Sequence, residues 1–169
     1  MMYRLMKVEG LAVDPVTNSP IMLLKDQESD ESLPIWIGLL EATAIASELE
    51  NVTYSRPMTH DLLKSVLDLV GTTLMRIEVC DLKDNTFYAL LQLRRGEEKL
   101  TVDVRPSDAV ALALRCKAPI YVAEKVLKKS KVADGDAPSG KPVDRSKEGE
   151  RWADILEGLD PDDFGKYKM

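Results

Sequence analysis

Apolar residues recur along this chain with two different periods, and the switches between them outline its elements. Residues 3–13 (YRLMKVEGLAV) alternate loosely and predict a strand. Asp14-Pro15 turns the chain, and residues 20–25 (PIMLLK) predict the returning strand. The polar run DQESDES at 26–32 reads as a loop, and LPIWIG at 33–38 as a short buried strand. Over 39–50 (LLEATAIASELE) the period lengthens: Ala42, Ile45, Ala46 and Leu49 fall at helical spacing, and the small alanines invite close approach by a neighbour. Residues 51–57 connect, with Pro57 disfavouring helix at Arg56.

Thr59 is placed to cap a second helix running to Val70 and closed by Gly71. Its expected inward stripe is Leu62, Leu63, Val66, Leu67 and Val70, with Asp61, Lys64, Ser65 and Asp68 facing away. Three alternating runs follow, at 73–82, 86–93 and 98–105, and the short turns between them predict an antiparallel meander. Ser107 opens a third helix that is apolar nearly all round, so deep burial is expected. Pro119 ends it, and 120–127 (IYVAEKVL) reads as a strand, or a strand entering a helical turn.

Strands grouped with few helices favour α+β over a doubly wound sheet. The expected architecture is one domain over residues 1–127, an antiparallel or mixed sheet with a three-stranded meander packed by about three helices. Residues 128–150 are polar and rich in Lys, Gly and Pro, and read as a mobile linker. Residues 151–169 regain apolar character, with Trp152, Ile155, Leu156 and Leu159 suiting a short amphipathic tail that docks on the body or on a partner.

Composition narrows the function classes. The chain of 169 residues is 44 % apolar and suits one domain with a real core. Its net charge of −6 repels a phosphate backbone at long range, so nucleic acid must find a local basic site. Aromatics at 5 % argue against an open stacking platform. Residues 1–13 lack the apolar stretch of a secretory leader, and no run reaches the roughly 18 apolar residues of a membrane span. A cytoplasmic protein without a membrane partner is expected. Cys80 and Cys116 match no metal-ligand spacing and read as two buried thiols, a disulfide being the other possibility.

Two corners of the chain concentrate chemistry. On the strand 98–105, alternation puts Thr101, Asp103 and Arg105 on one face, with Asp103 and Arg105 roughly 7 Å apart. Asp108 follows in the first turn of the next helix. A helix N-terminus with Arg105 and Ser107 makes a phosphate pocket. Asp103, Asp108 and perhaps Glu41 offer the oxygen ligands that Mg²⁺ or Mn²⁺ prefers. The second corner, Arg56-Pro57-Met58-Thr59-His60-Asp61, repeats the theme and adds the one histidine, a group able to act as general base or metal ligand. Plainer readings stand beside these. Asp61 and Asp108 suit helix starts, Asp103 and Arg105 suit a simple ion pair, and His60 and Glu41 suit solvated helix positions. Trp36 and Trp152 suit core or interface anchors, and the lysines of 125–131 a solvated loop.

PIWIGLLEATAIA (34–46), RPMTHDLL (56–63) and DVRPSDAVALALR (103–115), in this order and spacing, resemble the bifunctional nuclease domain family, known from bacteria with relatives in plants. The closing DFGKYKM is similar to the tail of many bacterial members. The resemblance covers about residues 3–127 and implies a compact α+β domain, oligomeric, that hydrolyses DNA and RNA. The family pattern falls on Glu41, Arg56, Thr59, His60, Asp61, Asp103, Arg105, Ser107 and Asp108. The expectation is a metal-assisted nuclease cutting DNA or RNA, preferably single-stranded, with little sequence preference. Catalysis would fall to His60, Asp61, Asp103 and Asp108, phosphate binding to Arg56, Arg105 and Ser107, and the divalent cation to Glu41, Asp103 and Asp108. The alternative is a non-enzymatic oligomeric binding or regulatory module with an anion pocket. A homodimer is the default assembly.

Overall fold

The computed structural model describes residues 1–134. Its elements, in chain order, are β1 (Tyr3–Val13), β2 (Pro20–Asp26), β3 (Ser32–Trp36), α1 (Leu39–Leu49), α2 (Thr59–Leu69), β4 (Thr73–Lys83), β5 (Thr86–Arg95), β6 (Glu98–Val104), α3 (Pro106–Cys116), β7 (Ile120–Ala123) and α4 (Glu124–Asp134). The seven strands form one sheet in the order β3-β2-β1-β7-β4-β5-β6.

The expected antiparallel or mixed sheet with a three-stranded meander and about three helices is a single mixed sheet of seven strands, with four helices among the described residues. The element that makes the difference is β7. It runs antiparallel to β1, pairing Tyr3 with Ala123 and Met6 with Ile120, and parallel to β4, pairing Ile77 with Ile120 and Val79 with Val122. Four residues thereby join two antiparallel units, β1–β2–β3 and β4–β5–β6, into a mixed sheet. Ile77, Val79, Ile120 and Val122 are all buried along this seam. A strand buried on both sides needs no alternation, so IYVA carries little pattern of its own. The β4–β5 turn is closed by Asp84 and Asn85, both in the left-handed region at φ 49° and 59°, a pairing that favours a two-residue hairpin.

Helix α1 leaves the sheet after edge strand β3, and α3 leaves it after the opposite edge strand β6. The two pack against each other, and α3 also packs on β4 and β5. Ala42, Ala46, Ala109 and Ala113, all essentially inaccessible, let the backbones approach. Residues 109–113 of α3 are buried without interruption.

Expectations for the segment after residue 128 and for α2 are corrected. The linker expected from residue 128 begins inside α4, which continues to Asp134 and seats Val126, Leu127 and Ser130 in the interior. Lys125 and Lys129 of this helix bind Asp81, at 3.3 and 2.9 Å, so they are not the lysines of a solvated loop. The rest of the linker and the tail over 151–169, including Trp152, lie outside the described residues. Trp36, expected as a core or interface anchor, is half exposed and donates its indole N–H to Asp14 Oδ2 at 3.0 Å.

A further correction concerns α2. None of its residues is buried. His60, Asp61, Lys64 and Leu67 are half-buried, while Leu62, Leu63, Val66 and Leu69 are exposed. The helix docks on α3 through its polar edge, because bonds from His60 and Asp61 to α3 decide its rotation rather than its leucines.

Candidate active site

The strands and helices bring the starts of α1, α2 and α3 to one cleft of about 360 Å³. Its lining includes Glu41 from the first turn of α1, Thr59 and His60 from the first turn of α2, and Arg105 and Asp108 from the start of α3. Helix N-termini carry unpaired backbone N–H groups and partial positive charge, so their convergence suits an anion.

Asp108 is the centre of the bonding. Its Oδ1 lies 2.9 Å from His60 Nε2, and its Oδ2 accepts from Arg105 Nε at 2.7 Å. Burial works to raise the Asp108 carboxyl, but Arg105 and His60 outweigh it and hold the group below its ordinary value. Asp108 is therefore ionised at neutral pH. An ionised carboxylate only accepts, so His60 Nε2 carries a proton and, in the neutral ring, Nδ1 holds the lone pair. Arg105 also reaches Glu41, with Nη1 2.9 Å from Oε1. The Asp108 hydrogen bond is the first cause of the raised Arg105 value.

Gly38 explains how Glu41 comes to face this arginine. It is the N-cap of α1, and Glu41 Oε2 folds back to within 2.1 Å of where a Cβ on residue 38 would lie. Gly38→Ala is expected to displace the Glu41 carboxylate while changing stability little, because a flexible side chain can swing aside. Any activity should then fall by the same factor as in Glu41→Gln, with the melting temperature near wild type. A full-rate Gly38→Ala protein would show that Glu41 has no part in the site.

Asp61 is drawn into a different contact. Its Oδ2 accepts the Met58 backbone N–H at 3.0 Å, closing the first turn of α2, and its Oδ1 accepts from Arg115 Nε at 2.7 Å. Burial opposes ionisation of Asp61, yet the Arg115 and Met58 bonds prevail and its carboxyl lies below the ordinary value. Arg115 also donates Nη1–H to Ala111 O at 2.9 Å and Nη2–H to Ala44 O at 3.0 Å. One guanidinium thus ties α1, α2 and α3 together at the wall of the cleft. Its side chain is only 5 % exposed. Sequence reasoning missed Arg115 because it sits in the last turn of α3, where a basic residue suits the helix dipole without further purpose. The signal available was an arginine in a helix expected to be deeply buried, which needs partners.

The remaining expected residues are spread to either side. Arg56 is exposed and lines an adjoining hollow of about 370 Å³ that shares Ser47, Tyr54 and Arg115 with the cleft. Ser107 is buried and lines another hollow of about 260 Å³, which shares Glu41 and Arg105 with the cleft.

Asp103 is not brought together with the others. On β6 it pairs in register with Leu90, while Val102 and Val104 pair with Leu91 and Ala89. Paired residues point to the same face, and Ala89, Leu91 and Leu93 are the buried side. Asp103 therefore lies on the other face, with Thr101, which bonds Gln92. Asp103 is not part of the cleft lining, and the carboxylates that Arg105 bonds are those of Glu41 and Asp108. Arg105 follows the last residue of β6 and is the N-cap of α3.

For a divalent cation this leaves Glu41 and Asp108, both held by Arg105. Among the described residues no group of three or more His, Cys, Asp and Glu side chains is arranged to hold a metal ion. Mg²⁺ is commonly held by one or two carboxylates completed by water and substrate phosphate, so two carboxylates meet the minimum.

Comparison with known proteins bears on the family of the chain. The model of the bifunctional nuclease domain matches residues 22–134, a span that includes every cleft residue named above. A Mycobacterium tuberculosis protein, itself uncharacterized, is 39 % identical over 160 residues, covering 94 % of this chain and 96 % of its own. Bifunctional nuclease 1 of Oryza sativa subsp. indica is 27 % identical over 116 residues, covering 67 % of this chain and 35 % of its own. Bifunctional nuclease 2 of Arabidopsis thaliana is 25 % identical over 170 residues, covering 87 % of this chain and 52 % of its own. With the family model spanning most of the chain and the cleft within it, this protein belongs to the bifunctional nuclease domain family.

Proposed function

We propose that the cleft hydrolyses phosphodiester bonds of DNA and RNA, with little preference for sequence. The observation that carries this reading is the union of His60, Asp108, Arg105 and Glu41 in one cleft of a bifunctional nuclease domain. Arg105 is 66 % exposed as a side chain and offers its guanidinium to a phosphate. Thr59 and the N-terminus of α2 provide a second anion wall. The net charge of −6 confines nucleic acid to such local positive ground, and Arg56 extends it along the adjoining hollow.

In the chemical step His60 Nδ1 takes a proton from water as the water oxygen bonds to phosphorus. The bond from phosphorus to the leaving oxygen breaks, and that oxygen is protonated from solvent. Asp108 keeps His60 in the required tautomer and steadies the imidazolium that forms. Arg105 offsets charge on the phosphoryl oxygens. Glu41 and Asp108 are the residues that would hold a divalent cation, which when bound supplies charge stabilisation and orientation of the phosphate. Single-stranded substrate suits a cleft of this size.

The test is cleavage of end-labelled single-stranded DNA and RNA by the full chain, with Mg²⁺, with Mn²⁺ and with chelator. Both substrates should be cut with either metal, and chelator should abolish the reaction. No cutting under any condition, together with a rise in melting temperature on adding nucleotides that chelator does not affect, would replace this reading with a non-enzymatic anion-binding module.

A further inference from the structure

The outward side of α2 is an apolar stripe with nothing on it among the described residues. Leu62, Leu63, Val66, Leu69 and Val70 are between 39 and 85 % exposed, Leu69 the most. Their spacing from Val66 is −4, −3, 0, +3 and +4. At 100° per residue all five fall within about 60° of one direction, and no charged residue lies among them. Reversing the helix about Val66 maps the stripe onto itself.

The stripe exposes roughly 500 Å² of side-chain surface, at the upper end of what a monomer normally leaves open. Two such stripes face to face remove on the order of 1,000 Å², the lower bound of a specific interface before any rim is counted. A pattern that matches its own inverse is what a two-fold contact requires, since both copies present the same patch.

We propose that α2 is the contact of a homodimer, in which a second copy lays its α2 antiparallel across the first with Val66 on the two-fold axis. Each Leu62 then meets a Val70, each Leu63 a Leu69, and the two Val66 side chains touch. The contact lies on the helix that carries Thr59, His60 and Asp61, so the two clefts flank it. It also braces a helix that within one chain packs chiefly on α3. This inference stands apart from the nuclease reading and survives its failure.

Sedimentation of the full chain at a series of concentrations tests it. Wild type should sediment as a dimer that dissociates on dilution, and Val66→Glu should be a monomer throughout with an unchanged circular dichroism spectrum. Val66→Cys should form a disulfide-linked dimer under mild oxidant, while wild type, with Cys80 and Cys116 only, should not. A wild type that stays monomeric at every concentration overturns the proposal. So does a dimer that Val66→Glu leaves intact and Val66→Cys fails to cross-link. A monomer whose α2 amides exchange faster with solvent after Trp152→Ala also overturns it, and assigns the stripe to the chain's own 151–169 segment.

Discussion

Asp108→Asn should lower kcat/KM for cleavage by about 10²–10⁴, the usual range for losing a positioned acid–base pair, while leaving the protein folded. Asparagine keeps the size of aspartate but loses the charge that draws Arg105 to 2.7 Å and fixes His60 Nε2 as a donor. An amide NH2 facing Nε2 favours the opposite tautomer, with the lone pair on the wrong nitrogen. His60→Ala should fall by a similar factor, and the double mutant by little more, because the two act as one unit. Asp103→Asn is the control, expected to cut at the wild-type rate because that carboxylate lies on the other face of the sheet. If Asp108→Asn cuts like wild type and Asp103→Asn does not, the site is misplaced.

Arg115→Ala should carry the largest stability cost of any single cleft-wall substitution, about 2–3 kcal/mol by urea denaturation. Breaking a fully buried pair costs roughly 3–5 kcal/mol, and the lower figure reflects an Asp61 side chain that is 39 % exposed and so open to water. Lysine should not rescue it, since one ammonium cannot span Asp61, Ala111 O and Ala44 O.

The acid limb of stability tests the same contact. Asp61 and Asp108 both have folded values lowered from the ordinary carboxylate value. Their contribution is therefore complete above the unfolded value near 3.9 and is lost as pH falls through the depressed folded values. Melting temperature should drop as pH falls below the ordinary carboxylate value, and Arg115→Ala should show a shallower drop. An unchanged slope would mean that Asp61 is not stabilised by Arg115.

Much of the fold could be read from the chain because its signals are local. Alternation in 73–82, 86–93 and 98–105 marks three strands that pair in succession, and helical spacing marks α1, α2 and α3 to within a residue or two of their ends. The Arg-Pro corners place helix starts at Thr59 and Ser107 to within one residue, although the caps are Met58 and Arg105 rather than the expected hydroxyl residue Thr59. What local pattern does not contain is who pairs with whom. The four residues of β7 look the same whether they sit at an edge or at the centre, and only pairing with β1 and β4 made one sheet of seven strands.

The candidate site divides the same way. The residue types were legible from the sequence: an acid, an arginine and a histidine gathered at helix starts, in the order that resembles this family. Their company was decided by tertiary structure. His60 and Asp108 are 48 positions apart, and Asp61 and Arg115 are 54 apart. Each pair meets only because α1 and α3 leave opposite edges of the sheet and pack together through alanines, with α2 laid across α3. The rotation of α2 shows the physical reason most directly. By periodicity its leucines belong inside, but the His60–Asp108 hydrogen bond and the Asp61–Arg115 ion pair on the other side hold it, and a helix can turn only one face to its neighbour.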